Sequence, residues 1–565
     1  MSRSDLSRSW GPSHQHRHPP KGNRWKLKLG AIALILIAFE LFAHRVLQQG
    51  AIGAASSTLR TIGRDALILG ALWSLFRAVR SRRLTLPFPR RRSPATRLAD
   101  RLASAEHPGE AIRAHVQRLG GGAFLGFAPG GSWVTADPEH AVMVLGPPRS
   151  GKTSSIVIPA MLAAPGAAVS TATKRDVLEA TWRARAEIGQ VWLFDPMGEQ
   201  SELPRGIRRL SWSPVSAAST WDEALITARA MAACTSPGAG TTNEAHWRER
   251  STALLAPLLF AANLGERPIA EVLRWVLRQD IGPVGLTLED HDAEVANDVL
   301  VGIAKTDGRE RSSIFSATAG VLAAYNADAT RRTSATTNFD PMQFVASRDT
   351  LYVTAPAHKQ ALSAPLVVGL LEQIRHATYA HAARSNHRFT VFLCLDEVAN
   401  VAPIHDLPAL VSEAGGQGLH VMACLQDLSQ ARARWGDAAA DGFLSLFQTK
   451  LILTGIADSR TLEAISLALG EYDRRLVSYT VGRSQAEKLL PPPGTSSESV
   501  TSHTQRHRTL PAGEIARLPV GHGLLLRGTQ WGLLRLTPWH RTQPWIAATG
   551  KRSSPKATGR DSLQR

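Results

Sequence analysis

Cysteine is scarce in this sequence of 565 residues, which contains only three. Cys234, Cys394 and Cys424 stand far apart, and the last two lie within apolar runs of the strand type. Isolated cysteines in such runs predict reduced core residues of a cytoplasmic domain, not a disulfide framework. The chain also lacks a small-residue cleavage site followed by a secreted-type region, which argues against a cleaved signal peptide.

Charge is nearly balanced through most of the chain, although the formal net charge is +18. The whole positive excess comes from three flanking stretches, residues 1–30, 77–118 and 551–565. We therefore predict basic disordered tails at 1–28 and 542–565, and we assign the stretch HQHRH to the first tail and not to a metal site. The basic segment 81–120 predicts a juxtamembrane linker that contacts anionic membrane lipid, with a DNA contact as the alternative.

Two apolar segments near the N-terminus predict a transmembrane hairpin at 29–80. The first, about 29–47, is close to the roughly 20 residues that cross a bilayer. The second, about 60–79, has a shorter apolar core and charged residues at its start. The connecting stretch QQGAIGAASSTL carries no lysine or arginine, whereas both outer flanks are rich in them. The positive-inside rule therefore places both ends of the hairpin in the cytoplasm.

The stretch VMVLGPPRSGKTSSIVIP, residues 142–159, has the pattern of a phosphate-binding loop. In such a loop Lys152 reaches the β- and γ-phosphates, the Thr153 hydroxyl ligates Mg²⁺, and backbone N–H groups face the phosphate oxygens. We expect Pro159 to end or kink the following helix early. The predicted nucleotide-binding residues are Gly146, Pro147, Pro148, Arg149, Ser150, Gly151, Lys152, Thr153 and Ser154. A chance Gly/Pro turn is the alternative, but the preceding strand favours binding of ATP or GTP with Mg²⁺.

A second stretch, RFTVFLCLDEVANV at 388–401, has the pattern of a buried parallel strand that ends in two acids. Open α/β sheets bind ligands at the carboxyl ends of their strands. We therefore expect Asp396 to hold Mg²⁺ and Glu397 to act as the general base on the attacking water. A helix-capping acid after an ordinary strand is the alternative. Further along, Gln426 ends another apolar run and is expected to sense the γ-phosphate.

Strand-type runs alternate with helical patterns, which predicts an α/β fold with a mostly parallel sheet. We expect a RecA-like P-loop ATPase domain at 121–220 and 334–541. Between these halves, apolar residues at i, i+3 and i+4 predict an inserted all-helical domain at 221–333. Residues 488–511, rich in Pro, Ser and Thr, predict a flexible loop, and 521–539 predict a final pair of strands.

These motifs together resemble those of the type IV secretion coupling proteins, the conjugative DNA-transfer ATPases of the TraG/TraD kind. The resemblance covers most of 141–541 and rests on the hairpin, GPPRSGKT, FDP, the helical insertion and LDEVANVAPIHDLPALVSEAGGQGLHVMACLQDLSQ. It implies nucleotide-site roles for five residues: Lys152, Glu397 and Gln426 in catalysis, with Thr153 and Asp396 at the metal. It also implies an arginine finger from a neighbouring subunit. The candidates, each of which is equally well read as a surface charge, are Arg432, Arg434 and Arg311.

The resemblance implies a membrane-anchored homo-hexamer that uses ATP hydrolysis to deliver DNA, with or without attached protein, to a transfer channel. The implied partners are DNA bound with little sequence preference, relaxase or relaxosome proteins, and type IV secretion channel components. The implied location is the bacterial inner membrane, as a multi-pass protein with its ATPase domain in the cytoplasm. A chromosome-partitioning DNA translocase is the alternative, but the sequence shows neither the extra spans nor the terminal winged helix of that class. A non-catalytic scaffold is disfavoured by the intact Lys152, Asp396 and Glu397.

Overall fold

The structure is a computed structural model that describes residues 94–199, 202–235, 244–385, 391–483 and 496–550. The chain divides into two compact units, Met1–Arg92 and Ser93–Arg565, and every described residue belongs to the second. The predicted tail at 1–28 and the predicted hairpin at 29–80 lie outside the described residues. The same holds for the start of the predicted linker and for the chain after residue 550.

The predicted multi-pass membrane localisation needs correction. Among the described residues, no helix combines the length and the apolar character that crossing a membrane requires. A spanning helix needs roughly 20 consecutive, predominantly apolar residues. The two longest described helices, Glu244–Leu264 and Gln360–Arg384, both contain acidic and basic residues. The two segments on which the prediction rested, about 29–47 and 60–79, lie outside the described residues.

Most of the described strands form one large sheet. The strands are β1 (Phe124–Phe127), β2 (Trp133–Thr135), β3 (Val142–Leu145), β4 (Ala167–Ala172), β5 (Val191–Phe194), β6 (Ile207–Arg209), β7 (Thr350–Thr354), β8 (Val391–Leu395), β9 (Leu419–Leu425), β10 (Thr449–Leu453), β11 (Glu471–Arg483), β12 (Ser496–Arg508), β13 (His522–Arg527) and β14 (Gln530–Arg535). All but β11 and β12 join in the order β2-β1-β14-β13-β10-β3-β9-β8-β4-β7-β5-β6. Along this spatial order, the strands from β10 through to β6 at the far edge run parallel to one another. The other four strands, β2, β1, β14 and β13, each pair antiparallel with their neighbours. The predicted α/β class with a large, mostly parallel sheet is confirmed.

The centre of the sheet sets the position of the candidate site. Every residue of β3 and β8 is apolar and buried, as expected for parallel strands that are covered on both faces. Strand β9 lies between them, and Leu145 of β3 pairs with Leu425 of β9. The carboxyl ends of the three strands therefore meet at one edge of the sheet. Gly146, Asp396 and Gln426 are the first residues beyond that edge.

Helices cover the sheet and fill the connections between its strands. They are α1 (Pro94–Ala103), α2 (Pro108–Arg118), α3 (Ile158–Ala163), α4 (Asp176–Ala186), α5 (Trp221–Cys234), α6 (Glu244–Leu264), α7 (Ile269–Arg278), α8 (Gly282–Asp290), α9 (Glu294–Ala304), α10 (Gly308–Val321), α11 (Asp328–Thr333), α12 (Pro341–Val345), α13 (Gln360–Arg384), α14 (Val398–Val401), α15 (Leu407–Glu413), α16 (Leu428–Trp435), α17 (Asp437–Leu446), α18 (Ser459–Ala468), α19 (Ala512–Ala516) and α20 (Trp545–Ala548). Helices α1 and α2 fall within the segment predicted as a linker, and α2 packs against α3.

The connection between β6 and β7 contains only helices and turns among its described residues. Its first helix, α5, begins with a capping box, in which Thr220 and Glu223 satisfy each other's backbone N–H groups. Helix α5 packs against α6 and α13, and Leu254, Leu255 and Leu258 of α6 are fully buried. The helices of the connection thus share one continuous apolar core with the sheet. The predicted domain boundaries at 221 and 333 stay a prediction.

Strands β11 and β12 form a separate two-stranded antiparallel ribbon, paired from Glu471–Arg508 to Arg483–Ser496. The second strand falls within 488–511, where the sequence predicted a flexible loop, and that prediction is wrong for 496–508. Most of the side chains that are described on the ribbon are exposed. The residues that connect the two strands, 484–495, lie outside the described part of the chain.

Candidate nucleotide-binding site

The loop after β3 adopts a conformation that depends on its glycines. Gly151 has φ +94°, in the left-handed region that glycine reaches without steric penalty. Arg149 has φ +64°, an uncommon value for a residue with a Cβ atom. A Cβ atom at Gly146 would lie 2.7 Å from the Ser150 Oγ atom, so a side chain does not fit there. The Gly146 N–H donates to the Leu425 carbonyl oxygen at 3.1 Å, which ties the loop to the end of β9.

The helix that follows the loop begins with a π-helical turn, Thr153–Val157, and continues as α3. The Ile158 N–H donates to the Thr153 carbonyl oxygen five residues back, which is the π-helical pattern. Pro159 is the second residue of α3 and directly follows the π-helical turn, so the helix is irregular beside the proline. The helix runs on to Ala163, so of the two expected effects, an early end or a kink, the early end is wrong.

The loop and strand β8 meet through a hydrogen bond between residues that are 243 positions apart. The Thr153 Oγ1 hydroxyl donates to the Asp396 Oδ2 atom at 2.9 Å. The Thr171 hydroxyl donates to the Asp396 carbonyl oxygen at 3.2 Å and holds its backbone. A hydroxyl and a carboxylate in contact offer two oxygen ligands, the type that Mg²⁺ prefers. The pair fits a Mg²⁺ ion that takes its other ligands from phosphate and water.

The charged groups beside this bond lie close to the loop. The Asp396 carboxyl group is buried, and burial raises its pKa to about 6, although the Thr153 hydrogen bond and the charge of Lys152 act to lower it. The Lys152 Nζ atom donates to the carbonyl oxygens of Gly146 and, at 3.3 Å, of Pro147. The ammonium group thus lies over the loop, where phosphate oxygens can replace the carbonyl oxygens as its partners.

Glu397 has a strained backbone. Its φ of +55° and ψ of +49° lie in the left-handed region, and it directly precedes the short helix α14. A residue with a Cβ atom pays roughly 1–2 kcal/mol for this conformation. Such strain persists where the surrounding structure enforces it, and it concentrates at functional sites. The conformation places Glu397 in the wall of the same cavity as Asp396.

A cavity of about 620 Å³ opens in front of the loop. Asp396, Glu397 and all the predicted nucleotide-binding residues except Gly146 line it. Gln426 does not line it, and its backbone N–H donates to the Gln430 Oε1 atom at 2.8 Å. The structure therefore brings the loop and the two acids together and leaves Gln426 outside the cavity. The catalytic and binding roles of these residues stay predictions.

Part of the cavity wall comes from residues that the sequence analysis missed. Lys174 and Asp176 follow β4, and Trp539 follows β14. Strand β4 pairs with β8, so the residues after it reach the same edge as Asp396. The available signal was the polar run TKRD directly after an apolar strand. No local pattern gives the strand order that brings this run to the site.

The three arginine-finger candidates all make hydrogen bonds within the chain. The Arg432 Nη2 atom donates to the Asp458 Oδ2 atom at 2.5 Å. Arg434 donates to the Cys234 carbonyl oxygen at 2.9 Å, and Arg311 donates to the Ala304 carbonyl oxygen at 2.7 Å. None of the three lines the cavity described above. Their action on a neighbouring subunit stays a prediction.

Comparison with known proteins identifies a family whose model matches most of the chain. The family model described as "Type IV secretory system Conjugative DNA transfer" matches residues 99–527. The conjugal transfer protein TraG of Escherichia coli is 24% identical over 324 residues, which are 53% of this chain and 49% of TraG. The protein VirD4 of Rhizobium radiobacter is 22% identical over 364 residues, 62% of this chain and 51% of VirD4. The chain thus spans about half the length of these curated relatives.

Solved structures of a coupling protein share the fold. The bacterial conjugative coupling protein TrwBdeltaN70 aligns with a TM-score of 0.54 at 18% identity, over 75% of this chain and 91% of that protein. The plasmid coupling protein TrwB in complex with ADP and Mg²⁺ gives a TM-score of 0.54 at 17% identity, over 75% and 92%. Since the family model covers most of the sequence, this chain belongs to the type IV secretory system conjugative DNA-transfer family, whose members are the coupling proteins that its motifs resemble.

Proposed function

We propose that this protein is a RecA-like P-loop ATPase that binds ATP with Mg²⁺ and uses hydrolysis to deliver DNA to a type IV secretion channel. The observation that carries the proposal is the 2.9 Å hydrogen bond between Thr153 and Asp396 beside the cavity. It joins the hydroxyl of a phosphate loop to a carboxylate at the carboxyl edge of a parallel sheet. A metal-bound nucleotide needs this combination of oxygen ligands and backbone N–H groups.

Each residue of the proposed site has a separate task. The N–H groups of the loop and of the first helical turn bind phosphate oxygens. Lys152 exchanges the Gly146 and Pro147 carbonyl oxygens for oxygens of the β- and γ-phosphates. Thr153 and Asp396 hold Mg²⁺, which neutralises phosphate charge when it is bound. Glu397 takes the proton of the water that attacks the γ-phosphorus, and the bond from that phosphorus to the bridging oxygen breaks to release ADP.

The solved relatives support the choice of ligands. TrwB has been solved in complex with a non-hydrolysable ATP analogue, with a non-hydrolysable GTP analogue, and with ADP and Mg²⁺. The likeness of fold supports nucleotide and Mg²⁺ as the ligands proposed for this chain. We assign no phosphate contact to Gln426, because it lies outside the cavity.

We further propose that the cargo is DNA, bound with little sequence preference by a homo-hexameric ring. The excess of positive charge lies in the flanks and the rest of the chain is balanced, so one subunit offers few phosphate contacts and several subunits have to combine theirs. The partners are relaxase or relaxosome proteins and components of the secretion channel. The match to the conjugative DNA-transfer family favours this function over a chromosome-partitioning translocase.

The test separates nucleotide binding from hydrolysis in the purified full chain. Lys152→Ala is expected to weaken ATP binding at least about tenfold, because it removes charge that faces the phosphates. Glu397→Gln is expected to bind ATP like the wild type but to hydrolyse it about a hundredfold more slowly, because it removes only the proton acceptor. Binding is measured by equilibrium dialysis, and hydrolysis by phosphate release.

Two exposed residues supply matched controls. Lys305→Ala and Glu463→Gln make the same chemical changes at exposed positions outside the cavity wall, and both are expected to leave binding and hydrolysis unchanged. A Glu397→Gln variant that hydrolyses ATP at the wild-type rate would contradict the assignment of the base. In cells, Lys152→Ala should abolish transfer of a mobilisable plasmid, while Lys305→Ala should support it.

A further inference from the structure

The β11–β12 ribbon distributes its charged residues unevenly between two faces. Successive residues of a strand point to opposite faces, and directly paired residues of adjacent strands share a face. One face, here called the paired face, contains the cross-strand pairs Glu471–Arg508 and Asp473–Arg506. The other, here called the acid-free face, contains the cross-strand pairs Tyr472–His507, Arg474–Gln505, Leu476–His503 and Ser478–Thr501.

On the paired face, Glu471 and Asp473 each have an arginine directly across from them. The Arg508 Nε atom lies 3.1 Å from the Glu471 Oε1 atom. The Arg506 Nε atom lies 3.9 Å from the Asp473 Oδ1 atom. Opposite charges directly across from each other favour the pairing of the strands. These four charges therefore offset one another, and Arg475, the other cation among the described side chains of this face, donates to the Ser502 Oγ atom at 3.4 Å.

The acid-free face has a different chemistry. Arg474 is exposed and provides a charge that no acid on the same face offsets. The Tyr472 side chain is 50% exposed, and its ring centroid lies 6.3 Å from that of His507 at an interplanar angle of 33°. Ser478 and Thr501 add exposed hydroxyl donors. The face thus combines a cation, an open aromatic ring and neutral hydrogen-bond donors.

Nothing in the ribbon itself accounts for this surface. Its side chains at 471–475 and 500–506 are all exposed, so neither face packs on the sheet there. An isolated two-stranded ribbon has only marginal stability in water, and a ligand along one face would stabilise it. A ligand that matches the acid-free face carries negative charge, flat rings and hydrogen-bond acceptors. Single-stranded DNA has all three, with unpaired bases free to stack on an aromatic ring.

We propose that the acid-free face of the β11–β12 ribbon binds single-stranded DNA. Arg474 contacts a phosphate, Tyr472 stacks on a base, and Ser478 and Thr501 donate to backbone oxygens. The paired face stays free of DNA, because Glu471 and Asp473 would repel the phosphates. This inference rests on the proposed function only in taking DNA as the cargo. It assigns the contact to a ribbon that is separate from the nucleotide cavity.

The experiment measures binding of a fluorescent oligothymidylate to the purified full chain at several salt concentrations. Tyr472→Ala is expected to weaken binding about tenfold, through the lost stacking. Arg474→Ala is expected to weaken it several-fold and to lower the slope of log affinity against log salt by about 0.7. Gln505→Lys adds a charge to the acid-free face and is expected to tighten binding and steepen that slope.

Arg506→Ala is the matched control, because it removes one positive charge from the same level of the ribbon but from the paired face. It is expected to bind within about twofold of the wild type. Equal losses in Arg474→Ala and Arg506→Ala would overturn the proposal, since they would show only a general effect of net charge. Wild-type binding by all four variants would overturn it as well.

The outcome also separates this proposal from the proposed function. A wild-type protein that hydrolyses ATP but binds no oligothymidylate would remove DNA as the cargo, and the ribbon proposal would fall with it. A wild-type protein whose DNA binding is untouched by the ribbon variants would leave the cargo in place and refute the ribbon alone. ATP hydrolysis by every variant at the wild-type rate is expected and shows that the fold is intact.

Discussion

The end of strand β8 and the β11–β12 ribbon place their carboxylates in opposite environments. Asp396 is buried, accepts the Thr153 hydrogen bond at 2.9 Å and has a pKa raised by burial to about 6. Asp473 has a side chain that is 68% exposed and lies 3.9 Å from the Arg506 guanidinium group. An exposed pair of this kind contributes about 0–1 kcal/mol, whereas a buried polar group that loses its partner costs about 1–3 kcal/mol. We therefore expect the buried groups of the sheet to contribute more to the free energy of unfolding than the exposed ion pairs of the ribbon.

The largest effect on stability is expected where a buried cation is removed beside the sheet. Arg185 of α4 is fully buried, and its guanidinium group donates to the Thr350 hydroxyl at 2.6 Å and to the Gly166 carbonyl oxygen at 2.7 Å. Arg185→Ala removes the donor from these buried acceptors and creates a cavity. We therefore expect the free energy of unfolding to fall by about 4 kcal/mol. Chemical denaturation measures the loss.

Arg183→Ala is the control for this prediction, because Arg183 lies on the same helix and is exposed. Its removal is expected to change the free energy of unfolding by less than about 1 kcal/mol. Similar losses in the two variants would show that charge or helix propensity, and not burial, decides the stability of this region.

The next effect comes from a buried histidine and depends on pH. The His420 Nε2 atom accepts from the Ala123 N–H at 3.1 Å, and its Nδ1–H donates to the Pro138 carbonyl oxygen at 2.9 Å, so the ring is neutral. Burial lowers the pKa of His420 from 6.5 to about 4. As the pH falls, the unfolded chain therefore takes up this proton first. The contribution of the neutral His420 ring to the free energy of unfolding is complete above pH 6.5. About 3 kcal/mol of it is lost as the pH falls towards 4.

Asp396 acts in the opposite direction, since its raised pKa makes the folded protein the better proton acceptor between pH 3.8 and about 6. The contribution of His420 is therefore obtained by comparing the wild type with His420→Gln, in unfolding titrations at about pH 7 and about pH 4.5. The stability advantage of the wild type is expected to shrink as the pH falls. An advantage that is independent of pH would contradict a neutral histidine at this position.

Burial also explains which elements could be predicted from the sequence. Strand β8, Val391–Leu395, is a run of five apolar residues because both of its faces are covered, and the sequence indicated that run directly. Since parallel strands end at one edge, the acids after β8 and the loop after β3 could be assigned to one site. The Thr153–Asp396 hydrogen bond brings these two stretches together.

The remaining features have no local signature in the sequence. Strand β12, SSESVTSHTQRHR, has polar residues on both faces, and its side chains at 500–506 are exposed, so it lacks the alternation that marks a half-buried strand. Lys174 enters the cavity wall through the order of strands in the sheet, which depends on distant packing. Gln426 ends the expected strand, but the course of the chain beyond β9 leaves it out of the cavity.

The smallest effect is expected on the ribbon, and one substitution made in both regions tests the difference between them. Val477 of β11 is 43% exposed, whereas Val421 of β9 is 1% exposed. Valine to threonine keeps the branched shape but adds a hydroxyl group. Val421→Thr buries that hydroxyl group and is expected to lower the free energy of unfolding by about 2 kcal/mol, while Val477→Thr is expected to change it by less than about 0.5 kcal/mol. Equal losses would mean that the paired face of the ribbon, where Val477 lies opposite Ser502, packs as tightly as the sheet.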